Sequence, residues 1–199
     1  MKVILDSCTY AHFLASGEQR IVTEYARSIN AQVAVCATVA RELPGILANR
    51  PMFRQTGALE RWQHIKDAIT VLPDDLAGNT RLTSAVLDLH NADLNDGRSL
   101  KERLDDPNNL GEFMTAAHAL RLSRQGVSVV VLVDDHYGRT LVNIAKNLLL
   151  NGGYDHRQIL RSHARGVIEK SQPQWRRDAL EVDATIARME KVQKIPYWR

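Results

Sequence analysis

The 199-residue chain has little of what would place it in a specialised class. It holds two cysteines, six prolines and 6% aromatic residues. Cys8 and Cys36 lie apart, each in an apolar run, whereas a disulfide framework or a zinc site needs spaced sets. A reducing cytoplasm is therefore the expected compartment. No apolar stretch approaches the roughly 20 residues that span a bilayer. Asp6 follows the opening Met1–Leu5 too soon for a signal peptide, so no membrane partner is expected. The chain lacks internal repeats, low-complexity tracts, a Gly-x-Gly-x-x-Gly turn and a Walker-type loop, which removes the dinucleotide-binding and P-loop classes. Its seven histidines show no zinc spacing. Asp6-Ser7-Cys8-Thr9 has the look of a phosphatase nucleophile loop, but the second Asp of such loops is missing.

Charge of one sign is also scarce, with a net value of +3. The distribution is less even. His156–Arg199 carries ten basic and five acidic residues, which leaves residues 1–155 at −2. The basic excess sits in the last quarter. Basic side chains mixed there with Tyr154, Trp175, Tyr197 and Trp198 suit single-stranded RNA. The spacing of Ile186, Met189 and Val192 equally suits an amphipathic helix that docks on the domain or on a partner subunit.

What the chain does have is an alternation of β-rich and helical runs. Lys2–Leu5, Gln32–Cys36, Ile69–Leu72 and Val127–Val133 read as strands, the last apolar throughout, as in a parallel sheet buried on both faces. Helical periodicity covers Glu18–Ile29, a segment beginning at an N-cap Thr38 and containing Pro44, Met52–Ala68, Thr80–His90, Leu110–Gln125 and Tyr137–Leu150. Pro44 is expected to kink its helix. The pattern predicts a three-layer α/β/α domain with a mostly parallel central sheet over residues 1–153, followed by a basic helical extension over 154–199 with a helix start at Pro173. Residues 91–109, rich in Asp and Asn, read as a mobile or partly helical insertion.

Acids fall at the ends of these elements. Asp6 follows the first strand, Asp134 and Asp135 close the strongest one, Glu42 lies one turn into a helix, and Glu112 opens another. In an open parallel sheet, ligands bind at the carboxyl ends of the strands. Singly, each acid has an ordinary structural reading. An Asp after a strand caps a helix, and a Glu in a first helical turn complements the dipole. On a helical wheel Glu112 points away from the Leu110/Phe113/Ala117 stripe, toward solvent, and His118 is expected on the helix surface. Jointly they suggest a cluster that a cation must neutralise. All-oxygen ligands favour Mg²⁺ or Mn²⁺, ions suited to phosphodiester hydrolysis. Arg139, just past the last acid, is placed either to hold a phosphate or to sit as a surface arginine.

Four segments resemble the motifs of PIN-domain ribonucleases, in family order. Met1-Lys2-Val3-Ile4-Leu5-Asp6-Ser7 is similar to the opening strand and its acid, and Thr38-Val39-Ala40-Arg41-Glu42-Leu43 to the second motif. Gly111-Glu112 with the following Ala-rich helix resembles the third, and Leu132-Val133-Asp134-Asp135 with Gly138-Arg139 the fourth. The resemblance implies a PIN-like fold and a Mg²⁺- or Mn²⁺-dependent endoribonuclease, with Asp6, Glu42, Glu112 and Asp135 as the metal-binding acids and Asp134 as the alternative fourth. It also implies a VapC-like toxin of a toxin–antitoxin pair, a homodimer acting on RNA and inhibited by an antitoxin segment. The chain departs at Cys8, where the family often has Asn, and at Val133, where it often has Thr or Ser. The competing expectation is an inactive module of the same fold that binds RNA or a protein through its basic tail.

Overall fold

The computed structural model describes residues 1–94, 96–171 and 179–192. The elements, in chain order, are β1 (Lys2–Leu5), α1 (Ser7–Ser16), α2 (Gln19–Ser28), β2 (Gln32–Cys36), α3 (Ala37–Asn49), α4 (Pro51–Arg54), α5 (Ala58–Ile65), β3 (Thr70–Leu72), α6 (Thr80–Ala92), α7 (Leu100–Asp105), α8 (Leu110–Arg124), β4 (Val129–Leu132), α9 (His136–Asn151), β5 (Ile159–Ser162), α10 (Ala164–Lys170) and α11 (Ala179–Glu190).

The five strands form one parallel sheet in the order β3-β2-β1-β4-β5. The central strands are apolar because both faces are covered. Val3, Ile4, Leu5 and all four residues of β4 are buried, each large side chain contributing about 1.5–3 kcal/mol. Helices α1, α3 and α5 pack together in one layer, while α6, α8 and α9 pack together in the other. The chain runs from β1 outward to β2 and β3, then crosses back to β4 and β5. The order therefore reverses at β1, and Asp6 and Asp135 flank that crevice at the carboxyl ends of β1 and β4.

Several expectations need correction. α1 has no apolar stripe, since Thr9, Tyr10, Ala11, His12, Phe13, Leu14 and Ala15 are all buried around its circumference. A helix enclosed on every side gives no 3.6-residue signal. The Met52–Ala68 segment splits into two helices at Gly57, which has φ +71°. The N-cap of α3 is Cys36, not Thr38, and the helix runs through Pro44 without a break.

Beyond Gly153 the chain is not wholly helical. β5 pairs with β4 as an edge strand and leaves Leu160 and Arg161 exposed, so it lacks the two-sided apolar run that marks β4. α10 packs on α2, and α11 packs on α1 and α10 through buried Val182, Ile186 and Met189. Arg188 Nε lies 2.7 Å from Glu18 Oε1 and fastens α11 to the domain. The described part of the tail thus docks on its own chain. Pro173, Trp175, Tyr197 and Trp198 lie outside the described residues, and so does the tail reading that relied on them. Within 91–109, α7 is helical and its Arg103 is buried beside Asp93. No helix among the described residues is long and apolar enough to cross a membrane.

Candidate functional site

Asp6 leaves β1 and caps α1. Its Oδ2 accepts from the amides of Cys8 (3.1 Å) and Thr9 (3.2 Å) and from Thr9 Oγ1 (3.4 Å). Asp6 is fully buried, and its Oδ1 has no hydrogen-bond partner among the described residues. Asp135 repeats the device on the neighbouring strand. It caps α9, its Oδ1 accepts from Gly138 N at 2.6 Å, and its buried Oδ2 is unpartnered. Two carboxylates are therefore fixed by one oxygen each and leave the other free. Gly138 permits this closeness, because a Cβ there would lie 2.7 Å from Asp135 Oδ2 and 2.4 Å from Val133 Cγ2.

Glu112 enters from α8. It is half-buried at the wall of a cleft, while the residues that follow it in α8 are buried between α6, α9 and the sheet. Oxygens of Asp6 and Glu112 and the Cys8 sulfur lie within 4.8 Å of one another. The electrostatics show the crowding. Burial, then the Glu112 charge, then Asp135 hold the Asp6 carboxyl well above the usual carboxylate range. Burial and the Asp135 charge also raise Glu112. Glu42, on α3, is pushed up to about 7 by burial and then by Glu112. Its Oε2 lies against the backbone of α8 at Gly111, where a Cβ would come within 2.8 Å. The structure thus brings Asp6 and Glu112 together, and the charges of Glu42 and Asp135 bear on this pair.

Asp134, the alternative fourth acid, also keeps a buried oxygen, Oδ2, without a partner among the described residues. Its Oδ1 accepts from Ala164 N at 3.1 Å, at the start of α10, and burial pushes it up to about 6. It is tied to the site through its backbone, whose amide donates to Thr9 Oγ1 at 3.0 Å. Arg139 Nε donates to the carbonyl of Asp135 at 3.1 Å and buttresses the start of α9.

Glu42 and Glu112 line a cleft of about 480 Å³ whose walls also include Cys8, Arg50 and Pro107–Asn109. Arg50 Nη1 approaches Cys8 Sγ at 3.7 Å and places a guanidinium beside the acids. Burial, Asp6 and Glu112 push the Cys8 thiol up to about 12, which keeps it a weak ligand and leaves the donor set mainly oxygen. The residues fit a hard divalent cation. Asp6, Asp134 and Asp135 each have a buried carboxylate oxygen without a donor, and the charges of Asp6, Glu112 and Asp135 bear on one another.

Four residues of this neighbourhood escaped the sequence reading: Thr9, Arg50, Asp74 and the true position of His118. Asp74 Oδ2 accepts from Thr38 N at 2.6 Å, and its Oδ1 lies 2.7 Å from His118 Nε2. Against the upward pull of burial, these contacts hold Asp74 below the ordinary carboxylate range. His118 is fully buried rather than on the surface, because α8 is packed on that side against its neighbours. Only the hydroxyl of Thr9, so close to Asp6, could have been suspected from sequence. Compared with protein-family models, curated proteins and solved structures, the chain matches none.

Proposed function

We propose that the acidic cleft is the active site of a Mg²⁺- or Mn²⁺-dependent endoribonuclease of the PIN type. One observation carries the reading. Asp6, Glu112 and Asp135 raise or share a common negative field at the order reversal of a parallel sheet, and Asp6 and Asp135 each keep a buried oxygen without a donor. Desolvated carboxylates held this way cost free energy until a cation joins them. The preference for RNA rests on the four ordered motif resemblances.

Asp6 Oδ1, Asp135 Oδ2 and Glu112 would hold the ion, with Glu42 at the mouth. When bound, Mg²⁺ or Mn²⁺ supplies charge stabilisation at the phosphodiester and lowers the pKa of an attacking water. Thr9 and the amides at the start of α1 hold Asp6 through Oδ2, which fixes the carboxylate and leaves Oδ1 without a donor. Arg50 offers a fork of N–H donors to a substrate phosphate at the same opening. An antitoxin-type inhibitor and a homodimer belong to this reading through the resemblance alone.

The test is RNA cleavage with and without Mn²⁺ in Asp6→Ala and Asp6→Asn variants. Asparagine can still accept the α1 cap hydrogen bonds, which separates chemistry from folding. Removing a partner that merely orients a metal ligand costs 10–100-fold, so losing a ligand should cost more than about 100-fold. Circular dichroism and Tm should show a folded Asp6→Asn protein. Cleavage undiminished in that variant would overturn the assignment.

A further inference from the structure

A larger cleft, of about 680 Å³, lies at the other end of α8. Arg81 from α6, Arg121 and Arg124 from the last turn of α8, and Tyr154 from the turn after α9 form its walls. Asp88 is the acid among the lining residues, so three guanidinium groups face one carboxylate. Arg124 Nη1 donates to Asp88 Oδ2 at 2.6 Å, and Ser84 Oγ approaches the same oxygen at 3.5 Å. Arg81 is exposed and makes no ion pair with any described residue.

Neither arginine of α8 has all its N–H groups met. Arg121 Nη2 lies 3.3 Å from His118 Nδ1, whose other nitrogen is occupied by Asp74. No carboxylate reaches Arg121, and the Nε atoms of both Arg121 and Arg124 are buried without a partner. Burial alone draws the Arg121 pKa down. A desolvated guanidinium with an unmet N–H is costly unless an anion approaches it. The planar fork of arginine matches phosphate oxygens in particular. Tyr154, 45% exposed, presents an aromatic ring at the rim, the kind of surface on which a base stacks. Thr80, Ser84 and Gln125 add hydroxyl and amide groups suited to ribose and base edges. The volume is in the range of roughly 300–1,000 Å³ that small ligands occupy.

We propose that this cleft binds a nucleoside phosphate, with the phosphate on Arg81, Arg121 and Arg124 and the base on Tyr154. A free mononucleotide and the phosphorylated end of a nucleic-acid strand share this chemistry. The cleft is separate from the acidic site. Glu112 opens α8 and Arg124 closes it, 12 residues apart, or about 18 Å along the helix axis.

The experiment is calorimetric titration of the full chain in EDTA, so that divalent-dependent cleavage cannot consume a ligand. The probes are 5′-AMP, adenosine, inorganic phosphate, and a tetraribonucleotide with and without a 5′-phosphate. AMP should bind, and adenosine and phosphate should each bind at least about 10-fold more weakly, having lost the charge-assisted or the stacking contacts. Arg81→Ala and Tyr154→Ala alter exposed side chains, and each should weaken AMP about 10-fold with Tm unchanged. Asp6→Ala should bind AMP as the wild type does, whether or not the nuclease reading survives. Stronger binding of the 5′-phosphorylated tetranucleotide than of AMP identifies a strand end as the source, and equal binding identifies the free nucleotide. AMP affinity undiminished in both cleft variants, or no preference of AMP over adenosine and phosphate, overturns the proposal.

Discussion

Thr9 bears no charge, yet it joins the two halves of the acidic site. Its hydroxyl donates to Asp6 and accepts from the amide of Asp134, so one side chain fixes the end of β1 against the end of β4. Thr9→Val keeps the shape and removes the hydroxyl, which leaves a buried amide without its acceptor. The expected cost is about 2 kcal/mol, within the 1–3 typical of a buried group left unsatisfied. In a domain of this size that lowers Tm by roughly 4–8 °C, and Thr9→Ser should recover most of it. A scanning calorimetry comparison of the three proteins checks this, and an unchanged Tm in Thr9→Val would show that the hydroxyl links nothing. At this scale the positions of Asp6 and Asp135 after strands, of Glu112 at a helix start and of Glu42 one turn into a helix were legible from sequence. Asp74 was not. Its role exists only through Thr38 N and His118, 36 and 44 positions away, and no local pattern announces such a pairing.

Periodicity locates the helices with one wet face, and α8 besides. α2, α6 and α9 carry an apolar stripe and a polar one, and their limits lie within two residues of the expected ones. α1 is enclosed and has no such contrast, which hides it from periodicity; in α8, also enclosed, the spacing gives the limits but not the burial of His118. β5 was missed for the opposite reason, since an edge strand with exposed Leu160 and Arg161 resembles loop composition. Segment 91–109 is held by charge more than by apolar contact. Arg103 Nη2 donates to Asp93 Oδ2 at 2.5 Å and to Tyr137 Oη, its Nε lies 3.2 Å from Asp96, and its guanidinium stacks 4.0 Å over Phe113. Breaking a buried pair strands the remaining charge, at about 3–5 kcal/mol. Arg103→Met should therefore lower the urea midpoint and speed amide exchange over residues 100–109, next to the wall that Pro107–Asn109 gives the acidic cleft. If the variant instead matched the wild type in both, α7 would owe its position to something other than this pair.

Across the whole molecule, a net charge of +3 conceals a local excess of negative charge that the fold maintains against its own stability. Asp6 and Glu112 are raised above the usual carboxylate range, and Glu42 ionises at about 7. The folded chain therefore holds protons at these sites more tightly than the unfolded chain does. Linkage then fixes the sign: their stabilising contribution is full below about pH 4, where both states are protonated, and is lost as pH rises through the folded values toward 7. Asp74 and Asp96, whose pKa values are lowered, act in the opposite sense at lower pH. A comparison with Glu42→Gln isolates the cluster, because the variant cannot ionise there. Without divalent cations, its Tm should gain on the wild type as pH rises from 4.5 to 7.5. A cation should remove that handicap at the upper end only, since metal ligands must be deprotonated. At 100 times its Kd, Mn²⁺ adds about 2.7 kcal/mol, or roughly 5–10 °C in Tm for a chain of this length. The rise should be seen at pH 7.5, shrink toward pH 5, and be smaller in Glu42→Gln and smaller still in Asp6→Asn. Mn²⁺ stabilisation that was equal at both pH values and in all three proteins would place the ion outside these acids, and the cluster would then be only a source of strain.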